Sequence, residues 1–212
     1  MKSTRQSGFS LLELAIVLAV LAILTGGILK GRELVSSAKV QSLITELSNL
    51  ETAITSFESR YNALPGDFIA SSAAGLGESG DGNGLIDSNE EIGRVWQQLA
   101  LAGFIKGDFN GEALTETGQC LPSTCLTSPL GGTIIVSNQI NISSLGTGRL
   151  AATLGSDHPA SLLAEVDRKL DDGNPTQGSV RVNANFENNC VTDTQQWDEQ
   201  DNPNCQAAYL LK

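Results

Sequence analysis

Oxygen-bearing side chains recur at alternate positions of residues 79–90, which read SGDGNGLIDSNE. The spacing follows the twelve-residue calcium loop, in which alternate oxygens surround a hard cation and a glycine, here Gly84, makes the sharp turn. The predicted ligands are the side chains of Ser79, Asp81, Asn83, Asp87 and Glu90 and the backbone carbonyl of Leu85. Serine replaces the usual aspartate at the first position, which removes a charged ligand and weakens binding. The pattern predicts a structural Ca²⁺ site, and the alternative is a flexible acidic turn whose last glutamate caps a helix.

Four cysteines, all beyond residue 119, are the second set of residues with a chemistry of their own. An even number of cysteines is typical of disulfide-bonded domains in an oxidising compartment. Four cysteines permit three pairings, and closeness in the sequence favours Cys120–Cys125 and Cys190–Cys205. Zinc is the alternative, but the paired close spacings of zinc ligands are missing from the sequence.

The sequence gives little support to catalysis. His158 is the single histidine, and its place before Pro159 at a predicted helix start indicates a solvated capping residue rather than a general base. No Gly-x-Ser-x-Gly elbow, phosphate loop or dinucleotide-binding glycine pattern occurs. The formal net charge of -11 argues against a broad nucleic-acid interface. We therefore expect no enzymatic activity, no organic cofactor and no nucleic-acid partner.

Glu13 is the one charged residue in an apolar run of 21 residues, Phe9 to Leu29. As a helix, this run would span about 30 Å, the thickness of the hydrocarbon core of a membrane. A carboxylate there costs about 2.5–3.5 kcal/mol, and the run holds no lysine, arginine or histidine to offset that cost. The cation must come from another subunit or from a newly made α-amino group. A secretory signal or an ordinary single-pass anchor is the alternative interpretation.

The short basic leader MKSTRQSG, then Phe9, Glu13 and the apolar run, resembles the cleavage and methylation signal of type IV pilins and pseudopilins. The resemblance implies that a prepilin peptidase cuts after Gly8 and that Phe9, the new first residue, is N-methylated. It also implies that Glu13 pairs with the first-residue amine of a neighbouring subunit and sets the register of assembly. Further segments resemble a subgroup of pilin-like proteins: ALPGDF at 63–68, GDGNG at 80–84, WQQLALAGFIKG at 96–107 and LDDGNP at 170–175.

The resemblance implies a structural subunit of a type IV pilus-like filament, built from identical or related pilin subunits by an inner-membrane assembly platform. The chain would first lie in the bacterial inner membrane with its C-terminal part outside the cytoplasm, and then in a surface pilus or a periplasmic pseudopilus. A pseudopilin of a type II secretion system is the alternative. From another class, the alternative is a monomeric membrane-anchored extracytoplasmic binding protein.

Hydrophobic periodicity predicts the elements that position these residues. Apolar residues at alternating spacings of four and three extend the helix past the apolar run: Leu43, Leu47, Leu50, Ile54, Phe57 and Tyr61. Residues 90–102 and 159–170 read as short amphipathic helices, and residues 133–136, 140–142 and 179–186 read as strands.

Together these patterns and the resemblance predict an α+β, pilin-like fold. A long N-terminal helix, membrane-spanning in its first half, packs on a small antiparallel sheet domain with extra loops and short helices. The predicted boundaries are a cleaved leader at 1–8, a transmembrane and filament-core helix at 9–29, its amphipathic second half at 30–62 and a globular head at 63–212.

Overall fold

The computed structural model describes residues 11–69, 75–155, 157–200 and 204–211. Gly8 and Phe9, the predicted cleavage site and new N-terminus, lie outside these residues. The chain divides into two compact units, Met1–Ala38 and Lys39–Lys212. The predicted boundaries after residues 8, 29 and 62 stay predictions.

The longest element is the helix α1, Leu11–Tyr61. Leucine, isoleucine, valine and alanine dominate its first part, so that no face is polar and the large side chains are exposed. In the second unit, one stripe is buried: Val40, Leu43, Leu47, Leu50, Ala53, Ile54 and Phe57. The predicted amphipathic helix is therefore confirmed. It ends at Tyr61 because Asn62 adopts a φ of 54° and Pro65 follows shortly after.

In the part of the chain that the structure describes, four short strands form one antiparallel sheet in the order β1-β2-β4-β3. The strands are β1 at Val136–Ser137, β2 at Ala151–Thr153, β3 at Val180–Val182 and β4 at Ala207–Leu210. In the register, Ala152 pairs with Val136 on one side and with Tyr209 on the other, and Tyr209 in turn pairs with Val180. The sheet and the buried stripe of α1 share one hydrophobic core, which confirms the predicted α+β fold.

The strand predictions were correct in part. Residues 133–136 contribute only Val136 to β1, and residues 140–142 form no strand, although Ile142 makes isolated bridges to Gly146 and Asn183. The predicted strand 179–186 stops at Val182, since Asn183 accepts a hydrogen bond from the N–H of Asn185 and begins a 3-10 helix at Ala184–Phe186. Local capping by asparagine thus competes with the strand.

Two strands, β2 and β4, were missed because alanine fills much of both. Alanine has a low strand propensity, and the pairs Ala151–Ala152 and Ala207–Ala208 are buried within the sheet. Tyr209 of β4 also donates a hydrogen bond from its hydroxyl to Glu51 on α1, at 3.1 Å.

Within the described residues, three further α-helices belong to the second unit. They are α2 at Asn89–Leu101, α3 at Ala160–Leu170 and the single turn α4 at Glu187–Cys190. Ser88 caps α2 in a capping box, in which its hydroxyl accepts from the N–H of Glu91 and the Glu91 carboxylate accepts from the N–H of Ser88. Pro159 precedes α3, where its missing N–H costs nothing. The predicted helices at 90–102 and 159–170 are confirmed to within one residue at each end.

Candidate assembly site and head loops

The first part of α1 presents an apolar surface on all sides. Leu11 is 89% exposed and Ile23 is 74% exposed, and their apolar neighbours are exposed as well. A water-soluble protein rarely leaves so large a contiguous apolar surface uncovered, so lipid or other protein must cover it. Among the residues that the structure describes, α1 is the one helix long and apolar enough to cross a membrane.

Glu13 lies in the first turn of α1 and is exposed on this apolar surface. Its apolar neighbours on the helix are Leu14, Ile16 and Val17, which are between 51% and 56% exposed. When lipid or another subunit covers this surface, the carboxylate enters a medium of low dielectric, where a cation is needed to offset its desolvation.

Residues 3–29 match the protein family described as the prokaryotic N-terminal methylation motif. The chain carries the signature of type IV pilins and pseudopilins. The matched segment contains Gly8, Phe9 and Glu13, the three positions that the sequence predicts to act in processing and assembly. No match was found among curated proteins or among solved structures.

The pilin motif implies processing by prepilin peptidase and assembly with other pilin subunits. Pilins and pseudopilins are structural proteins, not enzymes. The motif and the single N-terminal apolar helix together fit a membrane-anchored protein.

The predicted calcium loop lies beside the N-terminus of α2, and the structure groups a different set of carboxylates there. Ligand oxygens of Asp67, Asp81 and Glu91 all lie within 4.8 Å of one another. Asp67 and Glu91 are each 2% exposed, whereas Asp81 is on the surface. Of the six predicted ligands, only Asp81 belongs to this group.

The other predicted ligands make different contacts. The Ser79 carbonyl accepts a hydrogen bond from Nη1 of Arg94 at 2.8 Å, and Oδ1 of Asn83 accepts from the N–H of Leu85 at 2.7 Å. Glu90 is exposed in the first turn of α2. Asp87 is half-buried, and its N–H donates to Glu91 at 3.1 Å. The helical turn at Asn89 places Glu91 rather than Glu90 toward the loop.

Backbone N–H groups surround the two buried carboxylates. Asp67 accepts from the N–H groups of Asn83 and Gly84, at 2.9 and 3.0 Å. Glu91 accepts from those of Asp81, Asp87 and Ser88, at 3.1–3.2 Å. Sequence reasoning missed both residues as members of this site. A signal for Glu91 was present in the spacing Ser-x-x-Glu of a capping box, while Asp67 is brought there by tertiary structure alone.

The head contains two disulfides, Cys120–Cys125 and Cys190–Cys205, with Cα–Cα distances of 5.8 and 5.7 Å. They are the two local bridges that sequence proximity favours. The second closes the C-terminal loop, which a buried contact also fastens to α3. Nε1 of Trp197 in this loop donates to Oδ2 of Asp167 at 2.8 Å.

Asp167 is fully buried, and burial raises its pKa from 3.8 to about 6. Hydrogen bonds from Trp197 and from the N–H of Gly173 lower the pKa, while the negative charges of Asp172 and Asp171 raise it further. The sequence shows no sign of this carboxylate, because Asp167 occupies an ordinary position on an amphipathic helix.

His158 is only 4% exposed, so the predicted solvated cap is wrong. Its backbone N–H and carbonyl form a bridge with Cys205, at 3.1 and 2.9 Å, which draws the residue under the C-terminal segment. Burial lowers the pKa of the imidazole and outweighs the opposing effects of Leu154 and Asp157. The ring lies against Gly155, where a Cβ would come within 2.6 Å of Nε2. A general base needs an accessible substrate, and this imidazole is enclosed.

Proposed function

We propose that this chain is a structural subunit of a type IV pilus-like filament, processed by prepilin peptidase and assembled through α1. The observation that carries the proposal is the methylation motif at residues 3–29, continuous with a helix whose apolar surface is exposed. In the filament, α1 of each copy packs against α1 of its neighbours, which removes this surface from water. Glu13 pairs with the Phe9 amine of a neighbouring copy, while the head faces outward and performs no catalysis.

Mass spectrometry of the N-terminal peptide tests processing and location together. The peptide is taken from whole cells and from a sheared surface fraction. An N-methylated Phe9 in the sheared fraction supports a surface pilus subunit. An intact leader from Met1 to Gly8 would contradict the proposal and favour a monomeric membrane-anchored binding protein.

A pseudopilin of a type II secretion system is the second candidate, since the methylation motif is common to both groups. A pseudopilus stays in the periplasm, so methylated Phe9 would then be confined to the cell body. Deletion of the gene would impair export of folded proteins in that case and would leave surface filaments unchanged.

Glu13→Ala tests the role of the glutamate in assembly. Removing the carboxylate leaves the neighbouring amine without a partner in an apolar interface, which costs several kcal/mol. We expect the yield of sheared filament to fall about tenfold or more, while processing continues. Glu58→Ala, an exposed carboxylate on the same helix, is the matched control. Assembly of Glu13→Ala at wild-type yield would exclude the register role.

We also propose that Ca²⁺ binds at Asp67, Asp81 and Glu91. Two features support a cation: the calcium-like spacing of residues 79–90 and the three carboxylates whose oxygens lie within 4.8 Å of one another. Oxygens about 2.4 Å from one calcium ion lie up to about 4.8 Å apart, so the grouping fits. The alternative is that Asp67 and Glu91 bind no ion and only hold the loop through the hydrogen bonds that they accept from backbone N–H groups.

Thermal unfolding of the full chain in detergent, with and without millimolar calcium, separates these accounts. We expect calcium to raise Tm by several degrees, since extracellular loops of this kind bind at about 0.1–1 mM. Asp81→Ala and Glu91→Gln should abolish the rise, whereas Glu90→Gln should retain it. A rise that disappears with Glu90→Gln would restore the ligand set predicted from the sequence, and no rise in the wild type would leave the loop without an ion.

A further inference from the structure

Two Asn-Gly pairs lie in the head, Asn83–Gly84 and Asn110–Gly111. An asparagine before glycine is prone to deamidation, because glycine has no side chain that would keep its backbone nitrogen away from the side-chain carbonyl carbon of the asparagine. Since the dipeptide is the same in both pairs, a large difference in reactivity must come from their surroundings in the folded chain.

The first pair has space to react. Asn83 and Gly84 are both exposed, and within the described residues no atom lies within 4 Å of the place that a Cβ of Gly84 would take. Gly84 has a φ of 86°, which glycine adopts without strain. A cavity of about 440 Å³ lies beside the pair, and its wall includes Gly84 and Asp67, so water can approach this side of the loop.

Three hydrogen bonds involve the atoms that deamidation would rearrange. The N–H of Gly84 donates to Oδ2 of Asp67 at 3.0 Å, which places a base on the attacking nitrogen. The N–H of Leu85 donates to Oδ1 of Asn83 at 2.7 Å, where negative charge develops as the nitrogen adds to the carbonyl carbon. Nδ2 of Asn83, the leaving nitrogen, donates to Oδ2 of Asp81 at 3.0 Å. The folded loop therefore supplies both a base and an oxyanion donor.

The second pair has less space around its glycine. Oδ1 of Asn110 accepts from Oγ1 of Thr124 at 2.8 Å and from the N–H of Glu112 at 3.2 Å, so this side-chain oxygen also has donors. A Cβ at Gly111, however, would collide with the side-chain amide of Gln97. Among the described residues, no carboxylate accepts a hydrogen bond from the N–H of Gly111. The second pair thus lacks the space and the base that the first pair has.

We propose that Asn83 is a site of spontaneous deamidation in the folded head, with Asp67 as the base and the N–H of Leu85 as the oxyanion donor. The nitrogen of Gly84 attacks Cγ of Asn83 while Asp67 takes the N–H proton. The bond from Cγ to Nδ2 breaks, and Nδ2 receives the proton back from Asp67 through water and leaves as ammonia. Water then opens the succinimide ring and leaves an aspartate or an isoaspartate at position 83. This inference does not depend on the proposed filament.

Deamidation would change both the contacts and the charge of the loop. The new carboxylate replaces the Nδ2 donor beside Asp81, and two negative charges at hydrogen-bonding distance repel each other. Removal of the leader takes away Lys2 and Arg5 and changes the formal charge from -11 to -13, and deamidation adds one further negative charge. Older copies of the chain would therefore carry a looser and more acidic loop than newly made copies.

Mass spectrometry of the full chain in detergent tests the inference, because deamidation replaces an amide by a carboxylate and changes the mass. Freshly purified chain is incubated for several days at physiological pH and temperature. A chelator is present, so that the result does not depend on the proposed Ca²⁺ site. Digestion at mildly acidic pH, followed by fragmentation of the peptides, locates the change. In the folded chain we expect Asn83 to deamidate about tenfold faster than Asn110, or more.

The unfolded chain is the control for the effect of the fold. In guanidinium chloride both Asn-Gly pairs lose their contacts, so Asn83 and Asn110 should deamidate at comparable rates. Asn83 should also react more slowly there than in the folded head, because the unfolded chain no longer holds Asp67 against the nitrogen of Gly84.

Two variants test the base. Asp67→Asn removes the base and keeps the shape of the side chain, so the rate at Asn83 in the folded chain should fall about tenfold or more. Glu58→Gln is the matched control, because it removes an exposed carboxylate from the wall of the same cavity. Its rate at Asn83 should equal that of the wild type.

Equal rates at Asn83 and Asn110 in the folded chain would overturn the inference. A slower reaction at Asn83 in the folded chain than in guanidinium chloride would do the same, since the hydrogen bond to Asp67 would then restrain the nitrogen instead of activating it. An unchanged rate in Asp67→Asn would overturn the role of the base. None of these outcomes bears on the filament, which the N-terminal peptide tests separately.

Discussion

At the scale of single residues, two buried titratable groups give the head opposite responses to acid. Asp167 has a pKa raised from 3.8 to about 6, so the folded head binds a proton there more tightly than the unfolded chain does. His158 has a pKa lowered from 6.5, so the unfolded chain binds the proton more tightly. The effect of Asp167 acts between about pH 4 and pH 6, and the effect of His158 begins as the pH falls below 6.5, so the two partly cancel.

The variant Asp167→Asn should make the effect of His158 on the pH dependence of stability measurable. In the wild type, Asp167 lowers the free energy of unfolding by about 2–3 kcal/mol as the pH rises from about 4 to about 6, and its effect is constant above that. Asparagine abolishes this contribution, so the variant should lose more stability than the wild type on acidification below pH 6.5, because the effect of His158 is no longer opposed by Asp167. Urea unfolding of the full chain in detergent, followed by the fluorescence of Trp96 and Trp197, measures the change.

Asp193→Asn is the matched control, because it removes an exposed carboxylate from the same C-terminal loop. Its profile should follow that of the wild type. If Asp167→Asn and the wild type have the same slope between pH 4 and pH 6, the buried carboxylate does not titrate in this range.

At the scale of elements, α2 organises the loops of the head. Its capping box joins Ser88 and Glu91. The Glu91 carboxylate also accepts hydrogen bonds from the N–H groups of Asp81 and Asp87. Gln98, fully buried in the next turns, accepts from the N–H of Gly66 at 2.7 Å and donates to the Glu78 carbonyl at 2.9 Å. One helix thus fixes both the turn after α1 and the acidic loop.

Ser88→Ala should lower the free energy of unfolding by about 1 kcal/mol, because the N–H of Glu91 loses its acceptor at the helix N-terminus. The effect is read from the urea midpoint of the full chain in detergent. Ser59→Ala, at an exposed position of α1, should change the midpoint little. Equal midpoints for Ser88→Ala and the wild type would mean that water replaces the cap without loss.

At the scale of the whole molecule, net charge would oppose assembly of the proposed filament, while the apolar surface of α1 would drive it. Each mature copy would carry a formal charge of -13 once the leader is removed. The exposed leucine, isoleucine and valine side chains of α1 provide the opposing attraction. Electrostatic repulsion between the heads is screened by salt, whereas burial of apolar surface is not.

Isolated filaments should therefore dissociate faster at low ionic strength. The Debye length is about 30 Å at 0.01 M salt and about 8 Å at 0.15 M, so heads on neighbouring copies repel one another strongly only in the dilute buffer. Sedimentation of filaments at the two salt concentrations measures the difference. Faster dissociation at 0.15 M would mean that exposed ion pairs, rather than apolar packing, hold the copies together.

The sequence by itself determined the long N-terminal helix with its apolar first part, the methylation motif, the amphipathic stripe of α1 and the two short helices. These features are local: periodicity, capping residues and a linear motif act over a few turns of chain. Tertiary structure alone decided the alanine-rich strands β2 and β4, because burial in the sheet overrides the low strand propensity of alanine.

The cluster of three carboxylates at the calcium-like loop also combines features visible in the sequence with features that only tertiary structure decides. Asp81 and the spacing around it were visible in the sequence, but Asp67 comes from the turn after α1 and Glu91 from the first turn of α2. The surroundings of Asp167 and His158 also depend on segments distant in the chain. The burial of a residue depends on which distant segments pack over it, and burial in turn shifts the pKa. A local sequence pattern therefore predicts neither of them.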